Sequence, residues 1–249
     1  MKSLTINLKR SLARRDYVKD ELDKVPFINN VFIEGVDGKL LPEEDLANFN
    51  QDNAYKKYGR FLKLGEIGCT LSHRRCYKTL LNSDEATAII FEDDIVIRNS
   101  DKRIWVALHE FLQNKPEPMI ILLSGGYWSL GKQKTVSNLV NVYSAYYTHS
   151  YMLNRAAAEL MLSLGVDYLA DDWKLFKKKG LKLYAVKPHL VDQQWDGSVP
   201  SMIQNEAKQW FQSLPLKYKI KSYIKIIPCK LLELFGCHEC DSYDKFSQI

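Results

Sequence analysis

The chain has 249 residues, of which 46% are hydrophobic and 26% are charged, so it can bury a substantial core in one large domain or two small ones. This composition excludes a chain that is disordered throughout, collagen-like or of low complexity. The 35 Lys and Arg residues outnumber the 30 Asp and Glu residues only mildly, which suits an anionic substrate or surface and does not indicate nucleic acid.

Segments that direct a chain to or across membranes are not evident. No apolar run approaches the roughly 20 residues that span a bilayer, and the first residues lack the apolar stretch of a signal peptide. We therefore expect a cytoplasmic protein. The five cysteines are expected to be reduced. Cys69 and Cys76 lie roughly 10 Å apart along a predicted helix, too far to form a disulfide.

Apolar β-branched runs alternate with helical patterns along the chain, which predicts an α/β fold. The predicted strands span 4–8, 31–33, 86–91, 119–123, 140–147 and 181–186. The predicted helices span 11–22, a segment from 42, 65–81, 101–113, 154–164 and 171–179. The Gly- and Ser-rich segment 124–138 is predicted to be a loop. After about residue 200 the sequence becomes basic and amphipathic, so we divide it into a domain over 1–200 and an extension over 201–249.

Three adjacent acids, Glu92, Asp93 and Asp94, directly follow the apolar strand 86–91. In open α/β sheets, ligands bind at the carboxyl ends of the strands. Since side chains alternate along a strand, Glu92 and Asp94 are expected to point the same way. Two such carboxylates suit Mg²⁺ or Mn²⁺. The alternative is a solvated turn after a buried strand.

Basic residues follow the first strand, at another carboxyl end. Arg10 and Arg14 are candidates for binding a diphosphate, because Arg makes bidentate contacts with phosphate. The alternative is an exposed helix face. Neither a G-x-G-x-x-G sequence nor a P-loop is present, so neither nucleotide-binding fingerprint applies.

The sequence resembles glycosyltransferase family 25, which includes lipooligosaccharide galactosyltransferases of Gram-negative bacteria. The motifs are INLKR at 6–10 with Arg14 and Arg15 beyond it, GVDG at 35–38, GEIGCTLSH at 65–73 and IIFEDD at 89–94. Looser matches are YMLNRAA at 151–157 and DDW at 171–173. The sequence departs from the family pattern at Ala13, where an acid is common, and at Ala170, where a Pro is common.

The resemblance implies a GT-A-like, Rossmann-type sheet that binds a nucleotide sugar. It implies inverting transfer of a hexose, with UDP-galactose the commonest donor and UDP-glucose the alternative, to a lipooligosaccharide or lipopolysaccharide glycan. It also implies a divalent metal, Mn²⁺ or Mg²⁺, held by Glu92 and Asp94. The donor-binding residues expected on this basis are Asn7, Leu8, Arg10, Arg14, Glu66, Ser72, Glu92 and Asp93.

An acceptor hydroxyl that attacks the sugar must lose its proton, so a general base is required. Asp172 is the first candidate and Asp171 the second, because both begin a predicted helix, whose dipole keeps carboxylates ionised. At least one of them is expected to be only a helix cap. His73 lies on one helical stripe with Glu66 and Cys69. It is either a hydrogen-bonded core residue or, as the resemblance implies, a residue of the donor and catalytic site.

The C-terminal segment 217–234 interleaves lysines with apolar residues at helical spacing, and Pro228 is expected to break or kink the helix. A basic amphipathic segment can lie on an anionic membrane surface. That would suit a glycolipid acceptor at the inner face of the bacterial inner membrane. The alternative is a helix packed on the domain. The single C-x-x-C of Cys237 and Cys240 is weak grounds for zinc.

Other functions explain the sequence less completely. A nucleotide-sugar pyrophosphorylase usually has a Gly-rich loop after the first strand, which 7–11 lacks. A metal-dependent phosphohydrolase often places acids near Leu8, and none is there. A non-catalytic carbohydrate-binding protein would not need Glu92 and Asp94 beside a basic loop.

Overall fold

The computed structural model describes residues 1–132, 138–194 and 214–240. The strands within them are β1 Lys2–Asn7, β2 Asn29–Glu34, β3 Thr87–Phe91, β4 Ile95–Ile97, β5 Met119–Leu122, β6 Tyr127–Lys132, β7 Leu139–Ala145, β8 Ser150–Asn154, β9 Lys182–Val186, β10 Val191–Gln193 and β11 His238–Glu239. The helices are α1 Leu12–Leu22, α2 Glu43–Asn48, α3 Gln51–Tyr58, α4 Leu64–Leu81, α5 Lys102–Gln113, α6 Arg155–Ser163, α7 Trp173–Lys178 and α8 Leu216–Leu234.

Nine strands form one mixed sheet in the order β11-β6-β7-β9-β5-β8-β3-β1-β2, and β10 pairs with β4 in a separate ribbon. β1 pairs in parallel with both β2 and β3, whereas β8 runs antiparallel between β3 and β5. The predicted α/β class is confirmed. Because β1, β2 and β3 are parallel, the residues that follow them meet at one edge of the sheet.

The core lies on both faces of this sheet. On one face, Ile90 packs in a cluster with residues of α4 and α6, including Tyr77 and Met161. On the other face, Phe91 packs in a cluster with Trp105 of α5. Every residue of β3 is buried, which explains why its sequence is a continuous apolar run and not an alternating one.

Two glycines bring the start of α4 against the turn that follows β2. A Cβ on Gly38 would lie 1.8 Å from the carbonyl oxygen of Leu64, and one on Gly68 would lie 2.5 Å from that of Val36. The backbones can meet this closely only because both positions lack a side chain. As a result, the motif at 65–73 lies beside the ends of β1 and β3.

One local prediction was wrong, and of the second, that Pro228 breaks or kinks its helix, the break does not occur. Within the predicted loop 124–138, residues Tyr127–Lys132 form strand β6, which the buried aromatic pair Tyr127 and Trp128 favours despite the surrounding glycines. Residues 133–137 lie outside the description. α8 also continues through Pro228. Ile224, whose carbonyl that proline leaves without its helical partner, is an exposed residue, so water can solvate the group.

Other predictions need smaller changes. The predicted helix from residue 42 is two helices, because the side chain of Asn50 caps the second one by accepting from Asn53 N. All five cysteines are free thiols, as expected. None of the described helices is long and apolar enough to cross a bilayer. The predicted boundary near residue 200 falls in 195–213, outside the described residues.

Candidate active site

Asp93 joins the first strand to the third. Its Oδ2 accepts from Asn7 Nδ2 at 2.7 Å, and its Oδ1 accepts from Arg14 Nη1 at 2.9 Å. Burial raises the pKa of Asp93, although Arg14 and Asn7 oppose that rise. Of the predicted donor-binding residues, Asn7, Arg14 and Asp93 therefore hold one another in place at the edge of the sheet.

Glu92 faces α4 and the segment before β8. Its Oε1 accepts from Thr148 Oγ1 at 2.7 Å and lies 3.4 Å from His73 Nε2. Burial raises the pKa of Glu92, but the contacts with His73 and Thr148 outweigh burial and lower it to about 2. Glu92 is therefore ionised at neutral pH.

Asp94 has different partners from either neighbour. Its Oδ2 accepts from Gln193 Nε2 at 3.0 Å and lies 3.7 Å from Arg14 Nη1. Its Oδ1 is buried and has no hydrogen-bond partner among the described residues. Burial and the charge of Glu92 raise the pKa of Asp94 to about 6. A bound cation would favour the ionised form of Asp94 and so oppose the effects of burial and of Glu92 on its pKa.

His73 is both buried and adjacent to the acids. Its Nδ1 lies 2.8 Å from the hydroxyl of Tyr151, which in turn lies 2.8 Å from that of Tyr77. This chain of contacts fixes the ring with Nε2 toward Glu92. The first alternative for His73, a hydrogen-bonded core residue, is confirmed, and the same side chain lies beside Glu92.

Cys69 precedes His73 by one helical turn. A sulfur of Cys69, a ring nitrogen of His73 and a carboxylate oxygen of Glu92 all lie within 4.8 Å of one another. Burial, followed by the charges of Glu92 and Asp171, raises the pKa of the Cys69 thiol well above its ordinary value. A protonated thiol is a poor ligand for Mg²⁺ or Mn²⁺, which prefer oxygen.

Asp171 and Asp172 precede α7 and differ in their contacts. Asp172 caps the helix, since its Oδ1 accepts from Leu175 N at 3.1 Å, while its Oδ2 accepts from Tyr58 OH at 2.8 Å. Burial and the charge of Asp172 raise the pKa of Asp171 to about 6. The expectation that at least one of the pair is a helix cap is met by Asp172.

Two of the residues predicted to bind donor are engaged in holding α4. Glu66 makes a bidentate ion pair with Arg60, at 2.6 and 2.7 Å, and accepts from Lys63 N at 2.8 Å. Ser72 Oγ donates to Gly68 O at 2.7 Å and accepts from Val36 N at 2.8 Å. Both side chains therefore help to fix the start of α4 and the turn after β2.

A cleft of 380 Å³ opens where β1 and β2 end. Leu8 and Arg10 line it, and Arg10 Nε contacts Asp37 Oδ2 at 2.5 Å. Its remaining lining residues are Lys9, Glu34, Gly35, Val36, Asp37, Leu40, Leu41, Pro42 and Arg75. The cleft combines apolar walls with three cationic side chains, which suits a flat ring that carries a phosphate group.

The sequence was compared with models of known protein families. The model of glycosyltransferase family 25, described as an LPS biosynthesis protein family, matches residues 1–172. The chain belongs to glycosyltransferase family 25. The match includes the acidic cluster Glu92–Asp94, all of α4 and both Asp171 and Asp172, and confirms the resemblance found in the sequence.

Curated relatives are about a quarter identical to this chain over the aligned residues. Procollagen galactosyltransferase 2 of Mus musculus is 27% identical over 212 residues, which are 75% of this chain and 34% of that protein. A Bos taurus protein named "Probable inactive glycosyltransferase 25 family member 3" is 26% identical over 168 residues, 64% of this chain and 28% of that protein. The chain spans about a third of the length of the curated relatives it matches.

Among solved structures, the chain is similar to that of a glycosyltransferase involved in the glycosylation of the major capsid of PBCV-1. It is 10% identical, with a TM-score of 0.33 over 65% of this chain and 63% of that one.

Three contacts of this family 25 site were not predicted from the sequence. Thr148 binds Glu92, Gln193 binds Asp94, and Tyr58 binds Asp172. Each of these residues is more than 50 positions from its partner, and no spacing pattern relates them. In the structure, Tyr147, the residue before Thr148, has a φ of 67°, a backbone conformation that residues other than glycine rarely adopt and that often occurs at functional sites. The sequence gives no sign of this conformation.

Proposed function

We propose that this chain transfers a hexose from a UDP-sugar to a lipooligosaccharide or lipopolysaccharide glycan, with inversion at the sugar carbon. The observation that carries the proposal is the buried Oδ1 of Asp94, which has no hydrogen-bond partner among the described residues, near the ionised Glu92. The two carboxylates follow β3, at the same sheet edge as a basic cleft, in a chain of a glycosyltransferase family.

The cleft at the ends of β1 and β2 is the proposed place of the nucleoside. Its apolar walls would cover the base, while Lys9 and Arg10 supply positive charge for the diphosphate. Arg14, in the helix that follows β1, pairs with Asp93 and Asp94. The donor would therefore lie across the ends of the three parallel strands, with its diphosphate toward Asp94.

The residues present fit a divalent cation. Glu92 and Asp94 offer hard oxygen donors, one of which is buried without a hydrogen bond, and their mutual repulsion calls for positive charge. A bound Mn²⁺ or Mg²⁺ would act as a Lewis acid toward the leaving diphosphate. We assign Glu92 and Asp94 as its ligands, while Asp93 stays paired with Asn7 and Arg14.

Asp171 is the proposed general base, ahead of Asp172. The pKa of Asp171 is raised to about 6, which matches the proton-accepting role near neutral pH. Its carboxylate would take the proton of the acceptor hydroxyl as that oxygen bonds to the sugar carbon and the bond to UDP breaks. Asp172, with both oxygens engaged, would fix the start of α7 and so hold Asp171 in position.

Galactose is the proposed sugar, because relatives named procollagen galactosyltransferases share the matched region. UDP-glucose is the competing donor. The proposed location is the cytoplasmic face of a bacterial inner membrane, where a lipid-linked acceptor would meet a cytoplasmic nucleotide sugar.

The proposal is tested by a panel of nucleotide sugars with Mn²⁺, measured by thermal stabilisation and by UDP release with a glycan acceptor. We expect UDP-galactose to stabilise the protein most, and product analysis by NMR to show the inverted anomer. Glu92→Gln and Asp94→Asn should each lower turnover by about a hundredfold or more. Asp16→Asn, at an exposed surface ion pair, is the matched control.

Three other results would contradict the proposal. Saturable binding of a free glycan with neither transfer nor donor hydrolysis would show a carbohydrate-binding protein. Formation of a nucleotide sugar from a sugar 1-phosphate and UTP would show a pyrophosphorylase. Wild-type turnover by the Asp94→Asn variant would show that Asp94 does not hold a cation needed for the reaction.

A further inference from the structure

Helix α8 is attached to the domain at both ends. Near its start, the hydroxyl of Tyr218 donates to the carbonyl oxygens of Tyr55 and Lys56, at 3.2 and 3.0 Å. The ring of Tyr218 covers Gly59, where a Cβ would lie 2.5 Å from it. Near its end, Glu233 accepts from Trp128 Nε1 at 3.2 Å, and β11, which follows, pairs with β6. The helix therefore has a defined inner face and a defined outer face.

The outer face of α8 is apolar. Of the seventeen exposed large hydrophobic side chains among the described residues, nine lie between Leu216 and Phe235. Six of them recur at intervals of three or four residues and are 49–81% exposed: Leu216, Ile220, Ile224, Ile227, Leu231 and Leu234. At about 100° per residue they fall within an arc of about 80°. Soluble monomers rarely leave so continuous an apolar stripe in water.

Positive charge borders this stripe. The same helical geometry puts Lys217 at one border and Lys219 and Lys230 at the other. The sequence Leu216–Leu234 contains five lysines and a single acid, Glu233, and Glu233 is paired with Lys230 at 2.8 Å. An apolar stripe flanked by lysines matches a surface with acyl chains below anionic headgroups.

We propose that the outer face of α8 docks on an anionic phospholipid bilayer, with the helix lying in the plane of the headgroups. A second copy of this chain fits the stripe less well. Pairing two such faces would bring the bordering lysines of both copies together, with only Glu233 to offset them.

Docking through α8 would turn the side of the proposed active site that holds Asp171 and Asp172 toward the membrane. Gly59, which Tyr218 covers, directly follows Tyr58, and Tyr58 OH donates to Asp172 at 2.8 Å. Only a few contacts therefore separate the docking helix from Asp171 and Asp172. The proposal that the chain binds a membrane rests only on the features of α8. The inference that docking presents a lipid-linked acceptor to this site rests on the proposed function.

The test is flotation of the full chain with vesicles of phosphatidylcholine alone and with vesicles of equal parts phosphatidylcholine and phosphatidylglycerol. We expect flotation with the anionic vesicles and much less with the neutral ones. The variants Ile224→Ser and Ile227→Ser, alone and together, should weaken binding by about tenfold per side chain. Leu130→Ser, at a similarly exposed residue of β6, should leave binding unchanged.

Other outcomes overturn the inference. Flotation that is equal with both vesicle types, or unchanged in the double variant, would contradict it. Light scattering that shows a dimer in the wild type and a monomer in the double variant would assign the face to a second copy. Absence of both flotation and dimer would show that the chain itself covers the face.

Measurements of turnover distinguish a failure of this inference from a failure of the proposed function. The double variant should retain transfer to a soluble acceptor and lose most transfer to a vesicle-embedded acceptor. If wild-type protein floats with anionic vesicles but transfers no sugar to either acceptor, the proposed function fails and the docking surface stands.

Discussion

Asn7 donates to Asp93 Oδ2 at 2.7 Å although 86 residues separate them. The contact joins the end of β1 to the acidic residues after β3, and Arg14 completes it from α1. This arrangement engages both carboxylate oxygens of Asp93, whereas Oδ1 of Asp94 has no hydrogen-bond partner among the described residues.

Replacing Asn7 by Ala should destabilise the protein. The variant leaves Asp93 Oδ2 buried without its hydrogen bond, at a cost of about 1–3 kcal/mol in the free energy of unfolding. Urea denaturation followed by circular dichroism measures this. Asp16→Asn, which alters only an exposed ion pair with Lys19, serves as the control. Equal stability of the Asn7→Ala variant and the wild type would show that the contact is not maintained in solution.

Asp171→Asn should abolish transfer while leaving donor binding largely intact, because the amide cannot accept the proton. In the wild type, turnover should rise with pH through about 6, the raised pKa of Asp171, and level off above it. Asp172→Asn should keep part of the activity and lower the melting temperature, since the amide nitrogen that replaces Oδ2 cannot accept from Tyr58 OH. If instead Asp172→Asn is inactive and Asp171→Asn active, the two roles must be exchanged.

Metal binding should depend on pH through Asp94. Its pKa in the folded protein is raised from 3.8 to about 6, so the native state binds more protons than the unfolded state between these values. Without metal, the Asp94 contribution therefore lowers stability as pH rises from about 4 to 6. Added Mn²⁺ should raise the melting temperature above pH 6 and have less effect below it, since the ionised pair is the better ligand.

Glu92 contributes with the opposite sign at lower pH. Its pKa is lowered from 4.5 to about 2, so its contribution to stability is present above about 4.5 and is lost as pH falls toward 2. Melting temperatures of Glu92→Gln and Asp94→Asn across this range separate the two contributions. A Mn²⁺ effect that persists unchanged in Asp94→Asn would assign the metal to other ligands.

His73→Ala should lose both activity and stability. The residue is 1% exposed and holds Glu92 on one side and Tyr151 on the other. Removing the ring opens a cavity and leaves buried hydroxyls with fewer partners, at a cost of about 2–4 kcal/mol.

Tyr151→Phe separates positioning from packing at this site. It removes only the hydroxyl that contacts His73 Nδ1 and Tyr77 OH, so its stability cost should be about 1–3 kcal/mol, the contribution of two buried hydrogen bonds. A fall in turnover larger than that stability change explains would show that the orientation of His73 matters to the reaction. Unchanged turnover would restrict His73 and Tyr151 to the core.

Much of this protein follows from local patterns in its sequence. The apolar run of β3 is contiguous in the sequence, so the sequence predicted the strand and its burial. The motif at 65–73 likewise predicted a helix that carries His73, and the structure has that helix over Leu64–Leu81.

The tertiary structure decided which contacts each candidate residue makes. Asp171 and Asp172 are adjacent and chemically identical, and only the start of α7 and the distant Tyr58 make one a cap and leave the other buried with a raised pKa. Likewise, hydrophobic periodicity shows that 217–234 has an apolar face but not what covers it. Periodicity is a property of neighbouring residues, whereas burial and hydrogen bonding depend on elements that lie far away in the chain.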